Sequence, residues 1–420
     1  MLRIVRRPAS ILPGALGGSL HPVLSRVYAA RGVQRAAELD TSLERLLPVG
    51  TLEGIAAAAE LLLAHRAAGR VLVVGDFDAD GATSCALVVR ALRACGFAAV
   101  DFLVPNRFRF GYGLTPEIVA LAATRNPSLI VTVDNGISSN AGVAAARASG
   151  IDVLITDHHL PGVELPDANV IVNPNLAGSH FGSRALAGVG VAFYVMAAVR
   201  RRLEAAGMIG AETPGVAQLL DLVALGTVAD VVPLDANNRV LVAQGLKRIR
   251  AGRCVPGIRA LLALAGRATP DLTAADLAFG VAPRLNAAGR IDDMTVGIQC
   301  LLADDENEAQ ALAARLDALN EERRAIEARM QQEALGAVRR LQGVGADAVR
   351  RSGVCLFDES WHQGVVGLVA SRVKDRVRRP VIAFAAADQL TLRGSARSVA
   401  GIHIRDVLDS IAARSPELIS

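Results

Sequence analysis

One rhythm constrains this chain more than any other feature. Short runs rich in β-branched and other apolar residues fall at 71–74, 100–104, 129–133, 153–156 and 170–172, and helix-like stretches separate them. Strands that alternate with helices predict an α/β fold, a doubly wound parallel sheet with helices on both faces. In such sheets ligands collect in the crevice beyond the carboxyl ends of the strands. Here those ends carry Asp76, Asp134, Asp157, His158 and His159. Acidic and imidazole groups are therefore expected to converge at one edge.

With 420 residues and 52% hydrophobic side chains, the chain can bury more than one core. An apolar run at 185–199, flanked by Arg184 and Arg200, is too short to span a bilayer and predicts a buried helix. The N-terminus carries Arg3, Arg6 and Arg7, but Pro8 and Pro13 interrupt any signal-like apolar segment, so a cytoplasmic protein without a membrane partner is expected. From 304 to 341 apolar residues recur at three-four spacing, which predicts a long amphipathic helix joining two domains. Strands at 353–357 and 381–385, with a helix at 365–377 between them, predict a second α/β domain. The expected organisation is an N-terminal segment over 1–50, a catalytic domain over 51–303, a connecting helix over 304–342 and a second domain over 343–420.

Five scattered cysteines lack the close spacing of a thiolate metal site and are expected to be reduced and structural. A net charge of +4 suits a polyanionic partner, and all but two of the 45 basic residues are arginine. The abundance of alanine gives that bias a compositional explanation as well.

The chemistry is concentrated in four segments. VLVVGDFDADGATS places Asp76, Asp78 and Asp80 within five residues at a strand end. Crowded carboxylates repel one another unless cations neutralise them, so a hard-metal site competes here with a simple acidic turn or helix cap. LIVTVDNGISS brings Asp134 to a second strand end, before a sharp turn at Asn135-Gly136; alone, it fits a helix cap as well as a ligand. VLITDHHLPG adds Asp157, His158 and His159. Consecutive imidazoles behind a carboxylate suit manganese and related ions better than an all-oxygen calcium cage. In DLVALGTVADVVPLD, Asp230 sits among apolar residues, where an unpaired carboxylate is costly. Together these groups can hold two divalent ions with one bridging carboxylate, the arrangement that stabilises an in-line phosphoryl displacement.

GDFDADG, VTVDNGIS, TDHH and ALGTVADVVPLD, in that order, resemble the metal motifs of the DHH phosphoesterases. VPNRFRFGYG, LAGVGVAF, APRLNAAGRIDD, WHQGVVGLVASR and GSARSVAGIHIRDVL make the resemblance RecJ-like, from about Leu20 to the end. It implies a 5′-to-3′ exonuclease acting on single-stranded DNA in repair and recombination, releasing 5′-mononucleotides with two Mn2+ or Mg2+ ions. Asp78, Asp80, Asp134, His158 and Asp230 would be the ligands, with Asp134 bridging. Asp76 and Asp157 would be accessory groups, and His159 would face the scissile phosphate. Arg107, Arg109 and Tyr112, then Arg284, Asn286 and Arg290, and Ser395, Arg397 and Ser398 in a Gly394 turn of a DHHA1 domain, would contact the strand. For the arginine segments, solvated surface pairs are the plainer reading, and Trp361, though it matches the family, reads more readily as a core anchor. A single-strand-binding protein and a RecQ-type helicase are the partners the family implies.

Two departures stand out against the family pattern. Phe110 occupies a position usually acidic, and Ser420 falls before the glycine-histidine-rich segment that completes DHHA1 and before an OB-like domain. The expected second domain is therefore incomplete. Competing readings are a small-substrate DHH phosphoesterase, of the nanoRNase, pyrophosphatase or cyclic-dinucleotide type, and an inactive nucleic-acid-binding fragment.

Overall fold

A computed structural model describes residues 20–267, 269–343 and 352–415. The N-terminal arginines and prolines singled out above, and Ser420, lie outside the described residues. Two compact units share the chain: the first runs to Pro283 and includes Thr295–Ala313, and the second takes Arg284–Met294 and the chain from Ala314 onward.

Among the described residues, the first unit is built on a five-stranded parallel sheet: β1 (Arg70–Gly75), β2 (Ala99–Leu103), β3 (Leu129–Val133), β4 (Asp152–Thr156) and β5 (Val170–Val172). The order is β2-β1-β3-β4-β5. A parallel sheet buries both faces, which is why its strands are apolar throughout rather than alternating. Leu72, Val74, Ile130, Val153 and Ile155 pack with Ile118, Val119 and Val143 from the helices Pro116–Ala123 and Asn140–Ala148. Val71, Val73, Val131 and Leu154 point to the other face and are also buried.

That second face is covered by the Ala79–Ala94 helix, which packs on Gly188–Ala205 and Leu220–Ala229. The 185–199 run is accordingly a buried helix, and among the described residues no single helix is long and apolar enough to cross a membrane. Leu220–Ala229 also packs on Ala236–Arg250 across Gly245. A β-carbon at Gly245 would lie 2.1 Å from the Leu220 carbonyl oxygen and 2.4 Å from the Ala224 methyl group. The glycine thus sets the distance at which the helix leading to Asp230 is held.

The second unit carries a three-stranded sheet among its described residues: β6 (Val354–Phe357) parallel to β7 (Val381–Ala386), and β8 (Leu392–Arg397) antiparallel to β7. Its core joins Met330 and Ala334 of the Glu306–Gly343 helix to Val369 and Val373 of the Val366–Val377 helix and to Val381 and Ala383. Trp361 belongs to this core, and its indole N–H donates to Glu333 at 2.9 Å. Arg323, which interrupts the apolar stripe of the long helix, bonds to Asn320 at 2.7 Å and pairs with Glu327.

The Gly394 segment corrects an expectation. It runs as strand β8, not as an anion-binding turn, with Gly394 opposite Phe384. A β-carbon there would lie 2.5 Å from the Phe384 ring, so the glycine makes room for an aromatic side chain.

Substituting Gly245→Ala forces two backbones apart and should cost about 1–3 kcal/mol. Denaturant unfolding should show an earlier midpoint; an unchanged midpoint would mean the helix pair has room to relax.

Candidate metal centre

The sheet order changes direction between β1 and β3, so the crevice at the topological switch point opens above these two strand ends. Asp76 follows β1 directly, and Asp78 is the N-cap of the Ala79–Ala94 helix, its side chain accepting from the N–H groups of Asp80 and Gly81 at 3.0 Å each. The cap and the acidic cluster are therefore the same residues. Asp80 turns inward on the first turn and is 1% exposed. It accepts from the N–H of Gly188 at 2.7 Å and of Val189 at 3.0 Å, the open N-terminus of the Gly188–Ala205 helix. That helix has no side-chain cap of its own, so the carboxylate satisfies its first donors and meets the positive end of its dipole.

Asp134 leaves β3 with φ of +62°, while its N–H still donates to Thr156 at 3.0 Å. The sharp turn thus begins one residue earlier than the Asn-Gly pair indicates. Asn135 stabilises it by donating to the carbonyls of Val74 and Val133, at 3.1 and 2.9 Å, tying the ends of β1 and β3. After β4, Asp157 is fully buried and accepts from the N–H of Ile137 at 2.9 Å, from that of His158 at 2.7 Å, and from His159 Nδ1 at 2.7 Å. Asp157 therefore organises the loop, whereas His158 turns into the crevice.

The His158 Nε2 atom lies 3.1 Å from Asp134 Oδ1, 3.6 Å from Asp230 Oδ2 and 4.0 Å from Asp80 Oδ2. Asp230 caps the C-terminus of the Leu220–Ala229 helix. Among the described residues, ligand atoms within 4.8 Å of one another group as Asp76, Asp78 and Asp134; as Asp80, His158 and Asp230; and as Asp134, His158 and His159. Asp134 Oδ1 and His158 Nε2 are both buried without a hydrogen-bond partner.

Burial sets the electrostatics. It pushes Asp76 up to about 8, reinforced by Asp78, and Asp230 up to about 6, again reinforced by Asp78. Asp80 and Asp134 are driven well above the carboxylate range by burial and by each other's neighbours, Asp230 and Asp78 beside Asp80, and Asp80 and Asp78 beside Asp134. Burial opposes ionisation of Asp157 too, but its hydrogen bond and charge pairing with His159 hold it below the usual range. That hydrogen bond lifts His159 to about 9, whereas burial and the His159 charge lower His158. The two adjacent imidazoles thus differ, one cationic and one neutral.

Beside the cluster, the Arg107 guanidinium stacks over the Phe77 ring at 4.4 Å, and the Tyr112 hydroxyl is 3.3 Å from His159 Nδ1. Arg109 is exposed. The other expected strand contacts belong to the second unit. Arg284, Asn286 and Arg290 lie on the helix Ala282–Ile291, not in a solvated loop; Arg284 is buried and pairs with Asp317 at 2.7 Å. Arg397 donates to Ser395 Oγ at 2.9 Å, and Ser398 Oγ accepts from the Ile404 N–H at 3.0 Å.

A family model for the DHH family, N-terminal domain, matches residues 70–227, and one for the DHHA1 domain matches residues 350–417. The single-stranded-DNA-specific exonuclease RecJ of Salmonella typhimurium is 53% identical over 421 residues, covering 99% of this chain and 73% of that protein. This chain belongs to the RecJ family. A crystal structure of exonuclease RecJ bound to manganese matches with a TM-score of 0.72 and 35% identity, over 86% of each chain. RecJ of Thermus thermophilus in complex with Mg2+ matches with a TM-score of 0.70 and 32% identity, over 93% of this chain and 51% of that one.

Residues that motif reading leaves out make this RecJ-family geometry possible. A β-carbon at Gly188 would sit 2.6 Å from Asp134, and one at Gly226 would sit 2.8 Å from Asp80 Oδ1 and 2.2 Å from Thr83 Oγ1. Both glycines stand inside quoted motifs, LAGVGVAF and ALGTVAD, yet nothing local marks what they approach.

A carboxyl whose folded-state value is raised binds its proton more tightly when folded. The stabilisation is complete below about pH 4 and is lost as pH rises through about 6 for Asp230 and about 8 for Asp76. In chelator, the melting temperature should therefore fall between about pH 4 and about pH 8, and Asp76→Asn should flatten that fall, most of all above about pH 6 where Asp230 no longer contributes. An unchanged slope in the variant would contradict the raised proton affinity assigned to Asp76.

Proposed function

We propose that this chain is a divalent-cation-dependent exonuclease that degrades single-stranded DNA from its 5′ end into 5′-mononucleotides. The observation that carries the reading is the pair Asp134 Oδ1 and His158 Nε2, buried, 3.1 Å apart and without hydrogen-bond partners, among carboxylates that raise one another's proton affinity. A buried polar atom left unsatisfied is expensive, and a bound cation removes that cost. Imidazole with carboxylates is a donor set for manganese, and the crowded carboxylates suit magnesium.

Asp80, His158 and Asp230 would hold one ion, and Asp78 and Asp134 the second, with Asp134 near enough to serve both. Asp76, an accessory group on motif reading, has the same access to the second set as Asp78. When bound, two such ions supply Lewis-acid charge at the phosphodiester and lower the pKa of an attacking water. Asp157 keeps His159 protonated by holding Nδ1, which leaves Nε2–H to donate to a non-bridging phosphate oxygen. Tyr112 buttresses that ring. Arg107, Arg109 and Tyr112 would grip the strand by charge and stacking. For the second unit, taken by itself, Asn286, Arg290, Ser395, Arg397 and Ser398 are the proposed strand contacts, whereas Arg284 is already held by Asp317.

The 5′-to-3′ direction follows from the family resemblance. So do a role in repair and recombination and the partners, a single-strand-binding protein and a RecQ-type helicase; the cytoplasmic location and the division into an N-terminal segment over 1–50, a catalytic body over 51–303, a connecting helix over 304–342 and a second domain over 343–420 rest on the sequence pattern. Asp134→Ala should lower the rate on an oligonucleotide in Mn2+ by about 10³-fold or more, roughly 4 kcal/mol of transition-state stabilisation. A 5′-labelled strand should lose its label as mononucleotide at the earliest times, and a blunt duplex should resist. Near-normal activity in the variant, or long intermediates that retain the 5′ label, would overturn the proposal.

A further inference from the structure

Val231 follows Asp230 directly and has φ of +63°. The Leu220–Ala229 helix ends with Asp230 as its cap, so Val231 stands where a helix most often places glycine, in the left-handed region. A β-branched side chain is the least suited to that conformation, because its Cβ substituents crowd the backbone. Such a residue is normally retained because its side chain packs into a core. This one is 83% exposed. Nothing inside the unit therefore explains why an apolar, strained side chain occupies a position that glycine fits better.

What adjoins it does. Asp230 Oδ2 is 3.6 Å from His158 Nε2, so Val231 stands one residue from the centre of the cluster. Other apolar groups are exposed beside cluster residues: Leu160, 74% exposed, follows His159, and Tyr112, 49% exposed, brings its hydroxyl to that same histidine. Strained residues persist at sites where the conformation serves a ligand.

We propose that Val231 is a positioning residue for the substrate strand. Its left-handed backbone turns the isopropyl group out of the helix end, where it rests against the deoxyribose and base edge of the nucleotide whose phosphate enters the cluster. This inference rests on the nuclease reading. Sugar C–H groups and base faces are common to all four nucleotides, so an apolar contact aligns the strand without reading its sequence, as degradation of a strand of any sequence requires.

The test uses the full chain with Val231→Gly and Val231→Ile on an oligo-dT single strand in Mn2+. Glycine relieves the backbone and removes the contact. Its melting temperature in chelator should rise by about 2 °C, Mn2+ should still raise that temperature, and KM should rise at least threefold with a smaller change in kcat. Isoleucine keeps the apolar branch and should hold KM within twofold of the parent. A glycine variant with the parent's KM overturns the role of Val231, and one that melts lower overturns the strain argument beneath it. A parent protein that leaves oligo-dT intact overturns the nuclease reading itself, which separates the two failures.

Discussion

Repulsion among carboxylates buried in one crevice is the constraint on which the rest of the first unit depends. Asp76, Asp80 and Asp134 are each less than a tenth exposed, and Asp78 and Asp230 stand against them. At low dielectric such charges are tolerated only where fixed dipoles or counter-charges meet them. The fold provides these unevenly. Asp78 caps its own helix, Asp80 sits on the N-terminus of the Gly188–Ala205 helix, and Asp157 shares a proton-rich contact with His159. Asp76, Asp134 and Asp230 receive less, and the deficit is concentrated where Asp134 meets His158.

Bringing these groups together depends on missing side chains as much as on present ones. Gly81 lets the first helical turn approach the Asp76 backbone, where a β-carbon would lie 2.5 Å from its carbonyl oxygen. Gly188 and Gly226 do the same for Asp134 and Asp80, and Gly245 holds the helix that ends in Asp230. Local strain complements this packing. Asp134 adopts a left-handed conformation that a short polar side chain tolerates, whereas Val231 adopts one that its branched side chain resists.

The second unit handles charge differently. Glu327 is nearly buried and takes both Arg323 and Arg372, while Arg284 is buried against Asp317. Several arginines that look like polyanion contacts are thereby engaged within the protein. Arg397 is half-buried, which lowers its affinity for a proton, and its guanidinium is held to Ser395, which fixes its orientation.

Much of the site was legible because its signals are local. An apolar strand followed at once by an acid is written in consecutive residues, so β1, β3 and β4 and the acids that end them were readable, as were the Glu306–Gly343 helix and the buried Gly188–Ala205 helix. A helix cap was open in the sequence as an alternative for the acidic cluster as a whole, since a cap bonds to its own next turn, but that Asp78 is the residue that caps was decided by the structure. What the chain cannot display locally is what lies opposite a residue. That Asp157 is satisfied by His159 while Asp76 stays crowded with Asp78 depends on which way each side chain leaves its strand. That Gly394 faces Phe384, that Gly188 faces Asp134, and that Arg284 is buried on Asp317 depend on pairings between segments distant along the chain. Sequence alone determined which chemistry each strand end carries; tertiary structure decided which of those groups meet, because only close packing of separate elements brings like charges within a few ångströms and leaves them to be neutralised.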